Sequence, residues 1–438
     1  MYIARNIDKE LIKWKNSEHR KPILLRGARQ VGKTQSVRQL SKQFEYFIEI
    51  NFEADKQIHS LFEGNLSAKE IVENLTAVYK IPVKPTKTLL FFDEIQACIP
   101  AIQSLRFFYE QTPDLHIIAA GSLLEFALTE IPSFGVGRIR SLYMYPLSFN
   151  EFLLAFGEEK LLEILQNANP QKPLPKVIHE KLNTYLRKFF IIGGMPEVVA
   201  RYAETLDYTE CSQIINDLII SYHDDFAKYK LRVPANRIRE VFLSAVMQTG
   251  SKFMYSQTQT QDNHKQIKEA LNLLILAGLI IPVTHTDANG LPLGAETNFR
   301  KQKMLIFDTG IYLKMLNFNI NEIVLSLDFN LVNRGALAEM FAGLELLKYT
   351  PPYEKAELNY WHREAKNSNA EIDYVIVRNN TITPVEVKSG TKGSMQSMYL
   401  FLNEKNLDSG IRLSLENFAQ YDKINVFPLY AINLLKKS

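Results

Sequence analysis

Apolar and polar residues alternate in blocks along the first 150 positions. Apolar runs lie at 22–25, 46–52, 89–92 and 115–120, and 143–146 adds a short fifth run. An unbroken apolar run of this length is typical of a strand buried on both faces. Strands that alternate with helical stretches at this spacing are typical of a parallel sheet covered by helices. The pattern therefore predicts an α/β core.

The rest of the chain changes pattern twice. Positions after 150 are helical in pattern, and a proline-containing loop at 167–175 interrupts them. Amphipathic helices at 237–248 and 266–278 precede a polar hairpin, which is the outline of a winged helix. Two strands and a helix follow. We predict four domains: an α/β core over 1–150, a helical lid over 151–232, a winged helix over 233–315 and a second α/β domain over 316–438.

The first apolar run leads into a glycine-rich segment that fits the pattern G-x-x-x-x-G-K-[ST]. A strand before it and a helix after it are the context in which such a loop cradles a polyphosphate with its backbone N–H groups. Lys33 would reach the β- and γ-phosphates of ATP, and Thr34 would place its hydroxyl on Mg²⁺. The predicted nucleotide-binding residues of this loop are Gly27, Ala28, Arg29, Gln30, Val31, Gly32, Lys33 and Thr34.

Two acids follow the third apolar run, where strands of an open α/β sheet present ligand-binding groups. Asp93 is predicted to hold Mg²⁺, and Glu94 to orient and deprotonate the attacking water. Ser122 follows the fourth strand, where it could contact the γ-phosphate or the water, although an N-cap role is equally compatible with the pattern. The sequence thus predicts a Mg²⁺-dependent ATPase.

Two further residues have candidate roles in ATP chemistry. Arg138 precedes the fifth strand and could stabilise transition-state charge in its own subunit or in a neighbour, the alternative being a surface turn residue. If it acts across subunits, the protein is a homo-oligomer. Pro196 begins a new helix after two glycines and could pack against the adenine ring, the alternative being a simple helix–helix turn.

The last third of the chain contains a second candidate site. Strand 371–377 starts with an acid, and strand 383–388 ends in Glu-x-Lys, so alternation lets Asp373 meet Glu386 and Lys388. Two carboxylates can hold a divalent metal that activates water against a phosphodiester. Glu339, on the helix predicted over 334–347, is a candidate further ligand. This is the D…E-x-K arrangement of restriction-type nucleases. A solvated strand edge without catalysis is the alternative.

Composition limits the partners. The 438 residues are 46% apolar and 23% charged, with a formal net charge of +3, which by itself does not indicate nucleic acid. Cys98 and Cys211 cannot form a disulfide framework. The start lacks an apolar signal segment and the stretch 271–283 is too short to span a bilayer, so we expect a cytoplasmic protein with no membrane partner. Basic residues that could contact double-stranded DNA cluster on the predicted winged helix: Lys228, Lys230, Arg232, Arg237, Arg239, Lys265, Lys268, Arg300, Lys301 and Lys303.

Taken together, the chain resembles a family of bacterial and archaeal AAA-type ATP-binding proteins with an uncharacterised C-terminal domain. The segments that carry the resemblance are LLRGARQVGKT, LLFFDEIQ, the GR before YMYPLSFNEFL, IIGGMPEVV, FDTGIYLKML, NRGALAEMF, YWHREAKNSNAEIDYVIV and PVEVKSG. The resemblance implies a P-loop ATPase core, a helical lid, a winged helix and a restriction-endonuclease-like domain. Two hypotheses follow: a nucleotide-driven switch that acts with a nuclease on DNA, or a nucleotide-switched scaffold that binds DNA or a protein through a non-catalytic domain.

Overall fold

The computed structural model describes all residues except 65–66, 123, 131–136, 230–232, 259, 261, 319–333, 365–368, 391–392 and 437–438. The predicted DNA contacts Lys230 and Arg232, and the side chain of Lys228, therefore lie outside the described part. The chain forms two compact units. The first contains Met1–Pro146, Leu276–Gly278 and Pro351–Lys355, and the second contains Leu147–Ile275, Leu279–Thr350 and Ala356–Ser438.

The first unit is a parallel sheet between helices, which confirms the α/β prediction for this part. Its strand order is β2-β3-β4-β1-β5, and each neighbouring pair is parallel. The strands are β1 (Ile23–Arg26), β2 (Tyr46–Asn51), β3 (Thr88–Asp93), β4 (His116–Ala120) and β5 (Arg140–Tyr143). The helices are α1 (Asn6–Lys15), α2 (Lys33–Ser41), α3 (Ala68–Tyr79), α4 (Ile99–Gln111) and α5 (Leu124–Glu130).

The core of this unit explains why β3 is apolar throughout. All six of its residues are buried, as an inner strand of a sheet covered on both faces requires. On one face, Phe92 meets the rings of Phe52, Phe62 and Phe108 edge-on. The apolar run therefore ends in Asp93 at a fixed point of a tightly packed sheet.

The second unit begins with helices. They are α6 (Phe149–Ala155), α7 (Glu159–Gln166), α8 (Lys176–Ile192), α9 (Pro196–Thr205), α10 (Tyr208–Asp225), α11 (Ala235–Met247), α12 (His264–Leu276), α13 (Thr309–Met315), α14 (Arg334–Lys348) and α15 (Gln396–Glu404). Among the described residues, no helix is long and apolar enough to cross a membrane.

A buried carboxylate joins two of the segments that carry the family resemblance. One oxygen of Asp308 accepts a hydrogen bond from the Gly194 N–H at 2.6 Å, and the other caps α13 through the Ile311 N–H at 3.1 Å. Gly193 has a φ of +73°, and a Cβ there would lie 2.1 Å from the Asp308 carboxylate. Gly193 and Gly194 therefore make room for the Asp308 carboxylate and bind it, because a side chain on Gly193 would displace the carboxylate.

A second polar junction attaches α14 to the start of α6. Glu345 accepts hydrogen bonds from the Phe149 N–H at 2.9 Å and from the Lys348 ammonium at 3.1 Å. Lys348 also donates to the Leu147 carbonyl at 2.9 Å. Both charged side chains are almost fully buried, and each has its partners, which makes their burial tolerable.

The sheet of the second unit has eight strands in the order β12-β13-β11-β10-β9-β8-β6-β7. They are β6 (Ile280–Thr286), β7 (Thr297–Ile306), β8 (Leu358–Arg363), β9 (Ala370–Arg378), β10 (Thr381–Val387), β11 (Gly410–Ser414), β12 (Ala419–Tyr421) and β13 (Ile424–Pro428). The hairpin predicted as a wing exists as β6–β7, but β6 also pairs in parallel with β8. The hairpin is therefore an edge of the C-terminal sheet, and the sheet continues across the predicted boundary at 315.

A histidine at the start of β4 gives the first unit a pH-dependent stability. His116 is 2% exposed, and its Nε2 lies 2.6 Å from an Arg20 nitrogen. The same nitrogen lies 2.9 Å from the Lys15 carbonyl oxygen, whose hydrogen bond favours the charged ring and opposes the effect of burial. Burial, reinforced by the Arg20 charge, lowers the pKa of His116 to about 4 from an ordinary value of 6.5.

We predict that stability falls as the pH drops between these two pKa values. In that window the unfolded chain binds a proton at His116 and the folded chain does not, so acid favours unfolding. Thermal melts at about pH 7.5 and about pH 5 measure this. The fall in melting temperature should be smaller in His116→Gln, which has no titrating ring. Equal falls in the two proteins would contradict the prediction.

Candidate active site

The predicted phosphate loop has the backbone that an anion cradle needs. Gly27, Gln30 and Gly32 all have positive φ, and Gly32 precedes the first turn of α2. A Cβ on Gly27 would lie 2.1 Å from the Met144 carbonyl oxygen, so this position excludes any side chain. The loop thus turns sharply at the carboxyl end of β1 and leads into the N-terminus of α2, where backbone N–H groups and the positive end of the helix favour an anion.

The side chain of Lys33 is folded back onto the backbone of the phosphate loop. The Lys33 ammonium donates to the carbonyl oxygens of Gly27 and Ala28 at 2.9 and 2.8 Å. Burial lowers the pKa of Lys33 to about 8, against the opposing effect of the nearby acids Glu94 and Asp93. Phosphate oxygens would replace the two carbonyls as stronger, charged acceptors.

An arginine near the N-terminus also holds this loop. The Arg5 guanidinium donates to the Val31 carbonyl at 2.8 Å and to the Tyr145 carbonyl at 2.7 Å, and its side chain is buried. It therefore ties the middle of the loop to the segment that follows β5. The sequence pattern contained no signal for this role, because Arg5 stands far from the loop and outside any motif.

Thr34 and Asp93, each predicted to be a ligand of Mg²⁺, contact each other in the structure. The Thr34 hydroxyl donates to the Asp93 carboxylate at 3.0 Å. Burial, reinforced by the charge of Glu94, raises the pKa of Asp93, so a nearby cation would be favourable. A hydroxyl and a carboxylate are oxygen ligands that suit Mg²⁺, and the two residues therefore fit the metal that ATP carries.

Glu94 is held at one oxygen. Its Oε2 accepts hydrogen bonds from the Gln96 amide at 2.6 Å, from the Ser122 N–H at 3.3 Å and from the Ser122 hydroxyl at 3.2 Å. Its backbone has a φ of +48°, a left-handed conformation that is unusual for a glutamate. Ser122 thus contacts Glu94 in this structure.

Arg138 lies at the other end of the sheet. It precedes β5, whose first residue Arg140 pairs with Ile23 at the start of β1, whereas the phosphate loop follows the end of β1. Its guanidinium forms an ion pair with Glu110 on α4. The structure therefore places Arg138 away from the phosphate loop of its own chain, and a catalytic role for Arg138 stays a prediction.

Pro196 lies in the second unit, as the first residue of α9. It is partly buried, directly after the fully buried Met195. The structure gives the preceding glycines a role at the Asp308 junction. Contact of Pro196 with an adenine ring stays a prediction.

The second candidate site is built around a β-bulge in β9. Trp361 pairs with Ile372 and Asn359 pairs with Val375, so β9 contains one residue more than β8 between these pairs. Asp373 lies at this bulge, next to α14. Carboxylate oxygens of Glu339, Glu371 and Asp373 lie within 4.8 Å of one another, a spacing that could hold a cation.

A buried lysine lies in this acidic cluster. The Lys303 ammonium donates to Glu339 at 2.8 Å and also to Glu371, and its side chain is 1% exposed. Burial alone would lower the pKa of Lys303, but the charges of Glu339, Glu371 and Asp373 raise it above its usual value. Lys303 was predicted to contact DNA at the surface. That prediction is wrong, since the side chain is buried and pairs with Glu339 and Glu371.

The roles predicted for Glu386 and Lys388 at a metal site stay predictions, and the structure shows what these residues contact. Glu386 forms an ion pair with Lys388, and Asp373 accepts a hydrogen bond from the Val387 N–H at 2.7 Å. Burial raises the pKa of Glu386, and Lys388 opposes this shift. Glu371, rather than Glu386, is the third member of the cluster with Glu339 and Asp373. Alternation could have indicated Glu371, which lies two positions before Asp373 on the same strand.

The comparison with protein families agrees with the geometry of the first site. Residues 19–153 match the family described as an AAA domain. They form an AAA-type ATPase domain. Such a domain binds and hydrolyses a nucleoside triphosphate, which confirms the ATPase prediction for this part of the chain. Use of Mg²⁺ is typical of such domains. Residues 183–322 and 334–432 match two families described only as domains of unknown function (DUF8612 and DUF4143).

Several solved structures are similar to this chain. A Walker-type ATPase of Pyrococcus abyssi is 14% identical with a TM-score of 0.44, covering 72% of this chain and 96% of its own. The ORC1 protein of Aeropyrum pernix in complex with DNA is 11% identical with a TM-score of 0.29, covering 74% and 95%. The origin recognition complex (ORC) of Drosophila bound to DNA is 16% identical with a TM-score of 0.26, covering 72% and 85%. No curated protein matches.

We predict that Lys33→Ala abolishes ATP binding, because it removes the charge opposite the β- and γ-phosphates. Equilibrium titration with a fluorescent ATP analogue measures this. Lys42→Ala, on the exposed surface just after α2, is the matched control and should bind normally. Normal affinity in Lys33→Ala would remove Lys33 from the site.

Glu94→Gln should bind ATP as wild type does but hydrolyse it about 10²- to 10⁴-fold more slowly, the usual contribution of a positioned base. The glutamine keeps the shape of the side chain and cannot take up the proton. Phosphate release under saturating ATP measures turnover. Wild-type turnover in this variant would contradict the role of Glu94.

Proposed function

We propose that this protein is an ATP-driven switch whose second unit binds double-stranded DNA without cutting it. The observation that carries the proposal is the position of the Lys303 ammonium among Glu339, Glu371 and Asp373. A divalent metal at these carboxylates would have to coexist with a buried positive charge. Coulomb repulsion between the metal ion and the buried Lys303 ammonium, both within reach of the same carboxylates, would oppose metal binding strongly.

In the ATPase domain, each residue would act from its observed position. The Lys33 ammonium would leave the loop carbonyls and donate to phosphate oxygens. Thr34 and Asp93 would hold Mg²⁺, which would neutralise phosphate charge. Glu94 accepts a proton from the attacking water, and Ser122 fixes the carboxylate that does so. Hydrolysis then separates an ATP state from an ADP state, as a switch requires.

DNA is the proposed partner because the second unit exposes basic side chains. Arg239, Lys265, Lys268 and Arg300 are exposed. Two other members of the predicted cluster are engaged with acids, Arg237 with Asp262 and Lys301 with Glu364, and would contribute less. Phosphate contacts of this kind supply affinity without sequence specificity.

A metal-dependent phosphodiesterase is the second candidate. The 4.8 Å spacing of the three carboxylates favours it, and so does Glu386, one oxygen of which is buried without a hydrogen-bond partner among the described residues. In that case Lys303 would have to leave the cluster when the metal enters. The two candidates therefore differ in what happens to Lys303.

Supercoiled plasmid distinguishes them. We expect no nicking in Mg²⁺ or Mn²⁺, with or without ATP, while duplex DNA binds with an affinity that falls steeply with salt. Fluorescence anisotropy measures this binding, and Lys265→Ala together with Lys268→Ala should weaken it. Nicking that disappears in Lys388→Ala, with ATP hydrolysis intact, would establish the phosphodiesterase instead.

A charge-removal variant tests Lys303 directly. Lys303→Met keeps an apolar stem of similar length but leaves three carboxylates uncompensated, so we predict a lower melting temperature than wild type. Mn²⁺ should restore part of the loss in the variant, because the cluster then becomes a cation site, and should do much less in wild type. Mn²⁺ stabilisation that is larger in wild type would support the metal-dependent candidate.

A further inference from the structure

A glutamine beside the proposed base has an environment that neither the phosphate-loop pattern nor the pair of acids predicts. Gln96 lies in a single 3₁₀ turn, Ile95–Ala97, that separates β3 from α4. Its side chain lies between the Glu94 carboxylate and the backbone of Gly121, which follows β4. The bond from its amide nitrogen to Glu94 Oε2, at 2.6 Å, is the shortest of the three that this oxygen accepts.

The orientation of this amide is determined by its neighbours. A carboxylate accepts hydrogen bonds and cannot donate them, so the NH₂ group of Gln96 must face Glu94. The amide oxygen then points to Gly121 and is buried without a hydrogen-bond partner in the described part of the chain. Burying an unpaired amide oxygen is unfavourable, so the bond to Glu94 must be strong enough to retain this arrangement.

Glycine at position 121 makes room for the amide. A Cβ built on Gly121 would lie 1.9 Å from the Gln96 amide oxygen and 3.0 Å from its Cδ, while the next nearest atom, the Cβ of Leu124, would be at an ordinary 3.6 Å. The φ of Gly121 does not lie in the left-handed region. An alanine would thus be acceptable to the backbone and would displace only the glutamine side chain.

We propose that Gln96 is a positioning residue for ATP hydrolysis and that Gly121, which has no side chain, leaves the space that the Gln96 amide occupies. The three hydrogen bonds converge on Oε2 of Glu94, and no described residue donates one to Oε1. The carboxylate is therefore held by one oxygen while the other is available to a water. Gln96 fixes the rotation of the Glu94 carboxylate. A general base has to stay at hydrogen-bond distance from the water whose proton it takes up.

The proposal rests on the role of Glu94 as the base, and two other roles of Gln96 would give different results. If Gln96 instead held Glu94 away from the attacking water, its removal would speed hydrolysis. If it only packed, its removal would affect stability and leave turnover unchanged. The direction of the change in kcat separates these three possibilities.

The first test is Gln96→Met, which retains the length of the side chain and loses the donor. We expect kcat to fall about 10- to 100-fold, the order expected for a misplaced catalytic group, with KM for ATP nearly unchanged. Gln103→Met on the exposed face of α4 is the control and should have wild-type kcat. An unchanged or raised kcat in Gln96→Met overturns the proposal.

The second test uses Glu94→Gln as the background. If Gln96 acts through Glu94, Gln96→Met should cost little more in the residual single-turnover rate of Glu94→Gln. A loss that is as large in this background as in wild type overturns the proposal. If Glu94→Gln itself hydrolyses ATP at the wild-type rate, then the assignment of the base has failed, which is a different result from a failure of Gln96.

The third test displaces the glutamine without changing it. Gly121→Ala should lower kcat by an amount similar to Gln96→Met, because its methyl group occupies the place of the amide oxygen. In a Gln96→Ala background, where that space is empty, Gly121→Ala should have little further effect. If Gly121→Ala lowers kcat as much in the Gln96→Ala background as in wild type, then Gly121 acts independently of Gln96. The proposed role of Gly121 would then be wrong.

Discussion

The parallel pairing of β1, β3 and β4 is the constraint on which the nucleotide site depends. Parallel strands all end at the same edge of a sheet, and each neighbouring pair in this sheet is parallel. The phosphate loop, the two acids and Ser122 follow these strands, so residues 59 positions apart, such as Thr34 and Asp93, become neighbours. The bond from Thr34 to Asp93 and the bonds from Ser122 to Glu94 are direct results of this register.

Compensation of buried charge is the corresponding constraint in the second unit. Asp308 is satisfied by backbone N–H groups, Glu345 by Lys348 and a backbone N–H group, and the acidic cluster by Lys303. Each arrangement joins elements that are distant in the chain. Because an uncompensated buried carboxylate is costly, these partners determine which helix and which strand can lie together. The cluster at β9 is therefore a structural junction as well as a candidate site.

The sequence predicted most of the first unit, because its signals are local. The strands around 46–52 and 89–92, the loop and the two acids depend on runs of apolar residues and on a motif with a defined mechanism. The second unit was predicted less completely. The hairpin at β6–β7 was recognised from its polar turn, but its pairing with β8 was not, because no local pattern specifies which strand an edge accepts. Lys303 was misjudged for a related reason: a lysine on a strand carries no sign of whether carboxylates from elsewhere surround it.

By itself, the sequence determined the α/β nature of the first unit, the phosphate loop and the pair of acids at the end of β3, since each follows from residue types at short spacing. Only the tertiary structure decided which partners these groups meet. It placed Arg138 at the sheet end opposite the phosphate loop, brought Arg5 and Gln96 to the ATP site, and put Lys303 among Glu339, Glu371 and Asp373. The physical reason is that hydrogen bonds and charge pairs act between neighbours in space, and the strand register and the β-bulge in β9 choose those neighbours.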